Sequence, residues 1–127
     1  KAVSARAATA RVYEAMMLLG GNGIEERFNA LPRLWRDAAI IESWEGPYTL
    51  LLMQALEDLA RYRVACREEA FLRHGLGEHF EGALAAELAR ILAEPEAPDA
   101  MLAFGELAPR LHARFEARAL AELRASR

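Results

Sequence analysis

The sequence predicts an all-α fold, and its composition and patterning support this prediction. Ala and Leu dominate the 127 residues, whereas Val and Ile are few. No segment keeps the strict alternation of apolar and polar residues that a half-buried strand requires. With 54% hydrophobic residues, the chain is long enough to bury one modest core and too short for two large independent domains.

The first half of the chain is predicted to form two helices. One covers about residues 2–19, where apolar side chains recur at helical spacing. This stripe consists of Val12, Met16 and Leu19. Gly20 and Gly21 then supply a left-handed stop. The second helix covers about residues 30–41, with Asn29 as its N-cap.

Three further helices are predicted in the rest of the chain. They cover about residues 47–72, 78–93 and 100–123. Pro47 suits the first turn of a helix, where a missing N–H costs nothing. Residues 94–98 form a short stiff linker, and Asp99 caps the last helix. Pro109 is expected to kink that helix or to split it.

Charge and cysteine content exclude several classes of protein. Sixteen Lys and Arg residues against 19 Asp and Glu residues indicate neither a strongly basic surface nor a disordered acidic tail. No apolar run is long enough to cross a bilayer, so we expect no membrane segment. The single cysteine, Cys66, is predicted to be a buried small hydrophobe in a reducing compartment, which places the protein in the cytoplasm. The chain opens at Lys1 inside a helix-forming stretch and shows no signal peptide, so we interpret it as a piece of a longer protein.

Few motifs in the sequence carry chemistry. The three histidines, His74, His79 and His112, lack the spacing of a metal site, and we expect no bound metal. There is no catalytic triad pattern and no P-loop. The glycines of residues 20–23 follow a predicted helix, which is the wrong context for a dinucleotide-binding turn after a strand.

One carboxylate stands out at a predicted helix start. Glu45 lies between Trp44 and Gly46, just before the helix that begins at Pro47. A helix N-terminus favours the ionised carboxylate, whereas packing against Trp44 and an apolar substrate would raise its pKa. Glu45 is therefore suited to act as a base once a ligand excludes water. Local physics alone favours the alternative, in which Glu45 merely caps the helix.

Three short motifs occur in a fixed order along the first half of the chain. They are Leu18-Leu19-Gly20-Gly21-Asn22-Gly23, Arg36-Asp37-Ala38 and Trp44-Glu45-Gly46. Their order and spacing resemble the C-terminal helical domain of the acyl-CoA dehydrogenases over about residues 5–59. The resemblance implies a partial helical bundle of that family in residues 1–74 and an additional helical pair, packed on it, in residues 75–127. Trp44 and the long C-terminal extension are most similar to the alkylation-response branch.

The resemblance also implies a reaction. The family binds FAD and oxidises an acyl-CoA thioester: a glutamate takes the α-proton, and the β-hydrogen leaves as hydride to the flavin. Glu45 matches that general base. Gly20, Gly21 and Gly23 match positions where the backbone approaches the FAD of a neighbouring subunit, and Gly46 matches a position near the flavin. We expect acyl-CoA and FAD to bind the full-length parent, and the fragment alone to be inactive and without FAD.

Some residues depart from the family pattern. Met17 stands where many members have a glutamine that reaches FAD, Pro47 replaces a threonine that contacts the flavin, and Leu51 replaces a frequent polar residue. These losses leave open altered flavin contacts, a different substrate, or a homologue whose activity has decayed. Arg36 and Asp37 are predicted to form a structural ion pair rather than to act in catalysis.

The rival interpretation is a non-catalytic helical module that mediates oligomerisation or contacts nucleic acid. From Tyr48 onward, ten arginines are outnumbered by 13 carboxylates, whereas phosphate binding needs clustered positive charge. We therefore expect no binding to nucleic acid. Apolar stripes on the first and third helices lack their usual partners, and burying them favours a homo-oligomer.

Overall fold

The computed structural model describes residues 1–44, 46–64, 72–74 and 82–126. These residues form helices joined by turns and short connections, and no strand occurs among them, so the all-α prediction is confirmed. The α-helices in this part of the chain are α1 (Ala2–Leu18), α2 (Leu31–Ser43), α3 (Tyr48–Val64), α4 (Ala83–Ala93) and α5 (Ala100–Ala125). A short 3-10 helix, Gly20–Ile24, follows α1.

The chain forms two compact units. Unit 1 is Lys1–Leu51 and unit 2 is Leu52–Arg127, so the division falls within α3. The boundary predicted between residues 74 and 75 adjoins residues outside the described part and stays a prediction. Residues 65–71, which the third helix was predicted to include, lie outside the described residues, as do the start predicted for the fourth helix, Cys66 and His79.

Unit 1 is built on the packing of α1 against α2. The two helices are antiparallel, because Lys1 at the start of α1 contacts Trp44 at the end of α2. Ala5 and Met16 of α1 are buried, and both are apolar, as residues that face a packed neighbouring helix usually are. Leu19, predicted on the same stripe as Met16, is half exposed, because α1 ends one residue before it.

Asn29 fixes the connection between the 3-10 helix and α2. Its Oδ1 accepts a hydrogen bond from the backbone N–H of Leu31 at 2.8 Å, and its Nδ2 donates to the carbonyl of Asn22 at 2.6 Å. Asn29 thus caps a free N–H with its side chain, but the N-cap position predicted for it is occupied by Ala30, because α2 begins at Leu31 rather than at Ala30. One side chain thus satisfies a free helix donor and ties the glycine-rich loop to α2.

The core of unit 2 consists of apolar side chains from three helices. The buried members are Leu52, Leu56, Leu84, Leu88, Ile91, Leu92, Ala100, Phe104, Leu107 and Ala108. Leu107 is fully buried, with 0% exposure. Glu87 of α4 also accepts two hydrogen bonds from Arg110 of α5, at 2.9 and 2.8 Å. The α4–α5 hairpin is therefore joined by both apolar burial and a bidentate ion pair.

The structure bears on two local predictions for α5. The helix runs without interruption from Ala100 to Ala125 and includes Pro109, so it is not split, and the kink stays a prediction. Burial of Leu107 and Ala108 just before the proline offsets the backbone hydrogen bond that Pro109 removes. Asp99 occupies the N-cap position but makes no side-chain cap; only its backbone carbonyl accepts the N–H of Ala103, at 2.9 Å.

Candidate functional site

The turn between α2 and α3 contains the predicted base. Glu45 itself lies outside the described residues, but both its neighbours are described. Trp44 is the C-cap that follows α2, and its N–H donates to the carbonyl of Ile40 at 2.8 Å. The N–H of Gly46 donates to the carbonyl of Ser43 at 3.2 Å and closes the turn. The motif around Glu45 therefore forms a compact reversal between two helices.

The backbone conformation at position 46 favours glycine. Its φ of +123° lies in a region that residues with a Cβ rarely adopt. A Cβ built on Gly46 would also lie 3.2 Å from Cδ2 of Leu50. The N–H of Leu51 donates to the carbonyl of Pro47 at 3.1 Å, so α3 begins at Tyr48, one residue after the predicted start.

The start of α1 contacts this turn on both sides of Glu45. The Lys1 ammonium donates a hydrogen bond to the carbonyl of Trp44, the residue immediately before Glu45. The Arg6 guanidinium lies over the ring of Tyr48, with its Cζ 4.4 Å from the ring centroid. Sequence reasoning missed both contacts, because they join residues 43 and 42 positions apart in the chain.

The glycine segment that follows α1 contains three glycines in different environments. Gly23 is buried, and a Cβ built on it would lie 1.9 Å from the carbonyl oxygen of Met16. Gly20 has a φ of +58°, as expected for the left-handed stop. Gly21 has neither constraint: its φ is not positive and nothing lies within 4 Å of an added Cβ. Internal structure therefore explains Gly20 and Gly23 but not Gly21.

The glycine segment and the Glu45 turn lie at opposite ends of the α1–α2 pair. The segment follows the C-terminus of α1, whereas the turn contacts Lys1 at its N-terminus. The 17 residues of α1 separate the two ends by about 25 Å, at about 1.5 Å per residue. One protomer therefore brings Gly46 next to the Glu45 position but does not bring Gly20, Gly21 or Gly23 there.

The prediction that Arg36 and Asp37 form an ion pair with each other is wrong. Arg36 pairs instead with Glu26 in the loop before α2, and Asp37 lies 4.0 Å from Arg33 on the preceding turn. Consecutive residues of a helix point in directions about 100° apart, whereas residues four apart share a face. Arg36 therefore fastens the loop to α2.

Unit 1 exposes many large apolar side chains. One set surrounds the glycine segment: Tyr13, Met17, Leu18, Leu19, Ile24 and Phe28. A second set lies on α2 and near the Glu45 turn: Leu34, Trp35, Ile40, Ile41, Trp44 and Leu50. Leu18 is 88% exposed and Trp44 is 70% exposed. Apolar surface of this extent indicates contacts that the described chain alone does not supply.

Other classes of site find little support in the described residues. No group of three or more His, Cys, Asp or Glu side chains there could hold a metal ion. No helix in the same part of the chain has the length and hydropathy to cross a membrane. Unit 2 contains an open cleft of about 610 Å³ between α3, the linker and α5, with Met53, Ala60 and Met101 among its lining residues.

A comparison with protein-family models matches residues 1–60 to the model described as "Acyl-CoA dehydrogenase, C-terminal domain". The match includes the glycine segment, α2, the Glu45 turn and most of α3. Neither the comparison with curated proteins nor the comparison with solved structures gave a match.

Proposed function

We propose that this chain is part of an FAD-dependent acyl-CoA oxidoreductase and supplies its general base, because residues 1–60 match the C-terminal domain of the acyl-CoA dehydrogenase family. The observation that carries the proposal is the Trp44-Glu45-Gly46 motif, which lies within the matched residues at a closed turn before α3. The reaction itself is proposed for the full-length parent, in which further domains complete the site.

The proposed chemistry is removal of two hydrogens from the acyl chain. Glu45 takes the α-proton of the thioester as a general base, and the carboxylate becomes a carboxylic acid. Bound FAD would supply the two-electron acceptor, so that the β-hydrogen could leave as hydride and a carbon–carbon double bond would remain. The exposed ring of Trp44 offers an apolar surface beside the base, which favours exclusion of water when an acyl chain binds.

Gly21 supports the second half of the proposal, a wall of a flavin site. Its backbone is exposed, and an added Cβ would meet no atom of this chain within 4 Å. A backbone without a side chain permits the close approach of a flat cofactor or its phosphates. Because the Glu45 turn lies at the other end of α1, Gly21 and Glu45 of one chain serve two different flavin sites.

Because Gly21 and the Glu45 turn lie at opposite ends of α1, the proposal requires an oligomer in which each flavin site combines residues of two chains. The exposed apolar sets at both ends of the α1–α2 pair provide the contact surfaces, and Leu18 and Trp44 are prominent members. We expect sedimentation of this chain to show a dimer or larger assembly. Only a well-folded monomer at high concentration would contradict this prediction.

An absorption spectrum of the purified full-length parent tests the proposed function most directly. A flavin band that is bleached under anaerobic conditions by an acyl-CoA supports it. A folded parent without a flavin band would contradict it and would favour the alternative, a non-catalytic helical module of a degenerate homologue. The departures from the family pattern at Met17 and Pro47 favour this alternative.

A substitution at Gly21 tests the flavin wall. In the full-length parent, Gly21→Leu is expected to leave the free energy of unfolding within about 1 kcal/mol of wild type, because the added side chain points into open space. The same side chain should weaken flavin binding about tenfold or more, because it would occupy space that the cofactor needs beside the backbone of residue 21. The measurement is flavin content after dialysis at a series of FAD concentrations.

The matched control for this experiment is Gly105→Ala in unit 2. A Cβ at Gly105 would lie 3.9 Å from Cδ1 of Leu52, an ordinary contact, and α5 is not part of the matched family domain. Flavin affinity should be unchanged in this variant. Wild-type affinity in the Gly21→Leu protein would remove Gly21 from the proposed site.

A further inference from the structure

We propose that Lys1 and Arg6 are positioning residues that hold the Glu45 turn in place from both sides. The catalytic consequence of this inference rests on the proposed function, whereas its structural part does not. The juxtaposition that carries it is a pair of cationic side chains from α1 on the residues that flank the proposed base.

The two contacts bracket Glu45 in the sequence. Lys1 donates to the carbonyl of Trp44, which is the peptide group directly before Glu45. Arg6 stacks on Tyr48, three residues after Glu45 and the first residue of α3. A hydrogen bond from an ammonium group is stronger than one between neutral groups, and a guanidinium over an aromatic ring is attracted by the ring's electron-rich face.

The described residues of the turn are largely exposed to solvent. Ser43, Trp44 and Pro47 are all exposed, so no buried apolar side chain of these residues anchors it. Gly46 adds backbone freedom, because it has no Cβ and adopts a positive φ. The hydrogen bond that closes the turn is the 3.2 Å contact from Gly46 to Ser43, which lies within the turn itself. The contacts from Lys1 and Arg6 come from α1 and therefore add support from outside the turn.

A general base works only when its position is held closely. Displacement of a reacting group by about 1 Å is enough to lower a rate by about 100-fold. Supporting residues that lock the backbone around a catalytic side chain therefore act on turnover without touching the substrate. Lys1 and Arg6 have this arrangement with respect to Glu45, since each contacts a flanking residue.

The structural part is tested by hydrogen exchange in the full-length parent. Lys1→Met removes the ammonium donor to Trp44 and Arg6→Gln removes the guanidinium over Tyr48, and both side chains are on exposed positions, so the fold should persist. We expect the amide of Gly46 to exchange about tenfold faster in each variant, because opening of the turn becomes easier. Lys1→Arg keeps a cationic donor and should restore most of the protection.

Arg27→Gln is the matched control. Arg27 stacks on Phe28 with its Cζ 4.5 Å from the ring centroid, nearly the same geometry as Arg6 on Tyr48. It lies in the loop before α2, at the other end of the helix pair from the Glu45 turn. Exchange of the Gly46 amide should be unchanged in this variant.

The catalytic part is tested by steady-state kinetics of the same variants. Turnover (kcat) should fall about tenfold in Lys1→Met and Arg6→Gln while KM changes less than twofold, because the base and not the binding surface is displaced. Wild-type exchange of Gly46 in both variants would overturn the inference. Faster exchange of Gly46 with unchanged kcat would also overturn the inference, because it would show that these contacts do not position the base. Full activity of a Glu45→Gln protein would instead overturn the proposed function, whatever the exchange rates.

Discussion

Replacing Glu45 with Gln in the full-length parent is expected to lower turnover by about 10²–10⁴-fold, the usual range for loss of a general base. The α-proton of a thioester is weakly acidic, so its removal needs a base within hydrogen-bonding distance. Gln has nearly the same size as Glu and can still accept a hydrogen bond, but it cannot take up the proton. Folding and flavin content should therefore be intact.

The measurement is the rate at which a panel of acyl-CoAs bleaches the flavin under anaerobic conditions. Glu42→Gln is the matched control, because Glu42 is a carboxylate on the last turn of α2, three residues before Glu45. The control should bleach at the wild-type rate. If Glu45 is only a cap, its replacement should cost about 1 kcal/mol of stability or less and leave bleaching unchanged. Equal rates would thus remove the catalytic assignment.

Gly23→Ala is expected to destabilise unit 1 by about 3 kcal/mol or more, at or above the upper end of the usual cost of overpacking. The added Cβ would lie 1.9 Å from the carbonyl oxygen of Met16 and 2.7 Å from its carbonyl carbon. Neither atom belongs to a flexible side chain, so the 3-10 helix or the end of α1 must move. Met16 is itself buried, which limits the relaxation.

Gly21→Ala is the control for this substitution, since it adds the same methyl group two residues earlier in open space. Its effect on the free energy of unfolding should be below about 0.5 kcal/mol. Urea denaturation followed by the fluorescence of Trp35 and Trp44, which both lie in unit 1, measures the two variants. Similar midpoints for Gly23→Ala and wild type would show that α1 and the 3-10 helix do not pack as described.

Much of the fold could be predicted because it depends on local rules. Apolar spacing identified the helices, and the left-handed Gly20 and the capping Asn29 follow from the conformational and hydrogen-bonding properties of single residues. The continuity of α5 through Pro109 could not be predicted in this way. It depends on burial of Leu107 and Ala108 in unit 2, which is a property of the tertiary structure.

The candidate site shows the same limit more strongly. Sequence motifs singled out the glycine segment, but only the packing against Met16 separates Gly23, which the fold requires, from Gly21, which it does not. The pairing of Arg36 with Glu26 depends on the path of a loop. The position of Glu45 itself lies outside the described residues, so its role as the base stays a prediction.

The separation of the glycine segment from the Glu45 turn by the length of α1 has a genetic consequence under the proposed function. A chain with a substitution at Gly21 still has an unchanged Glu45, and a chain with a substitution at Glu45 still has an unchanged Gly21. When two such chains assemble together, the intact ends meet in some of the shared sites. Two alleles that are each inactive alone could then complement one another, and dominance would depend on which end of α1 each allele alters.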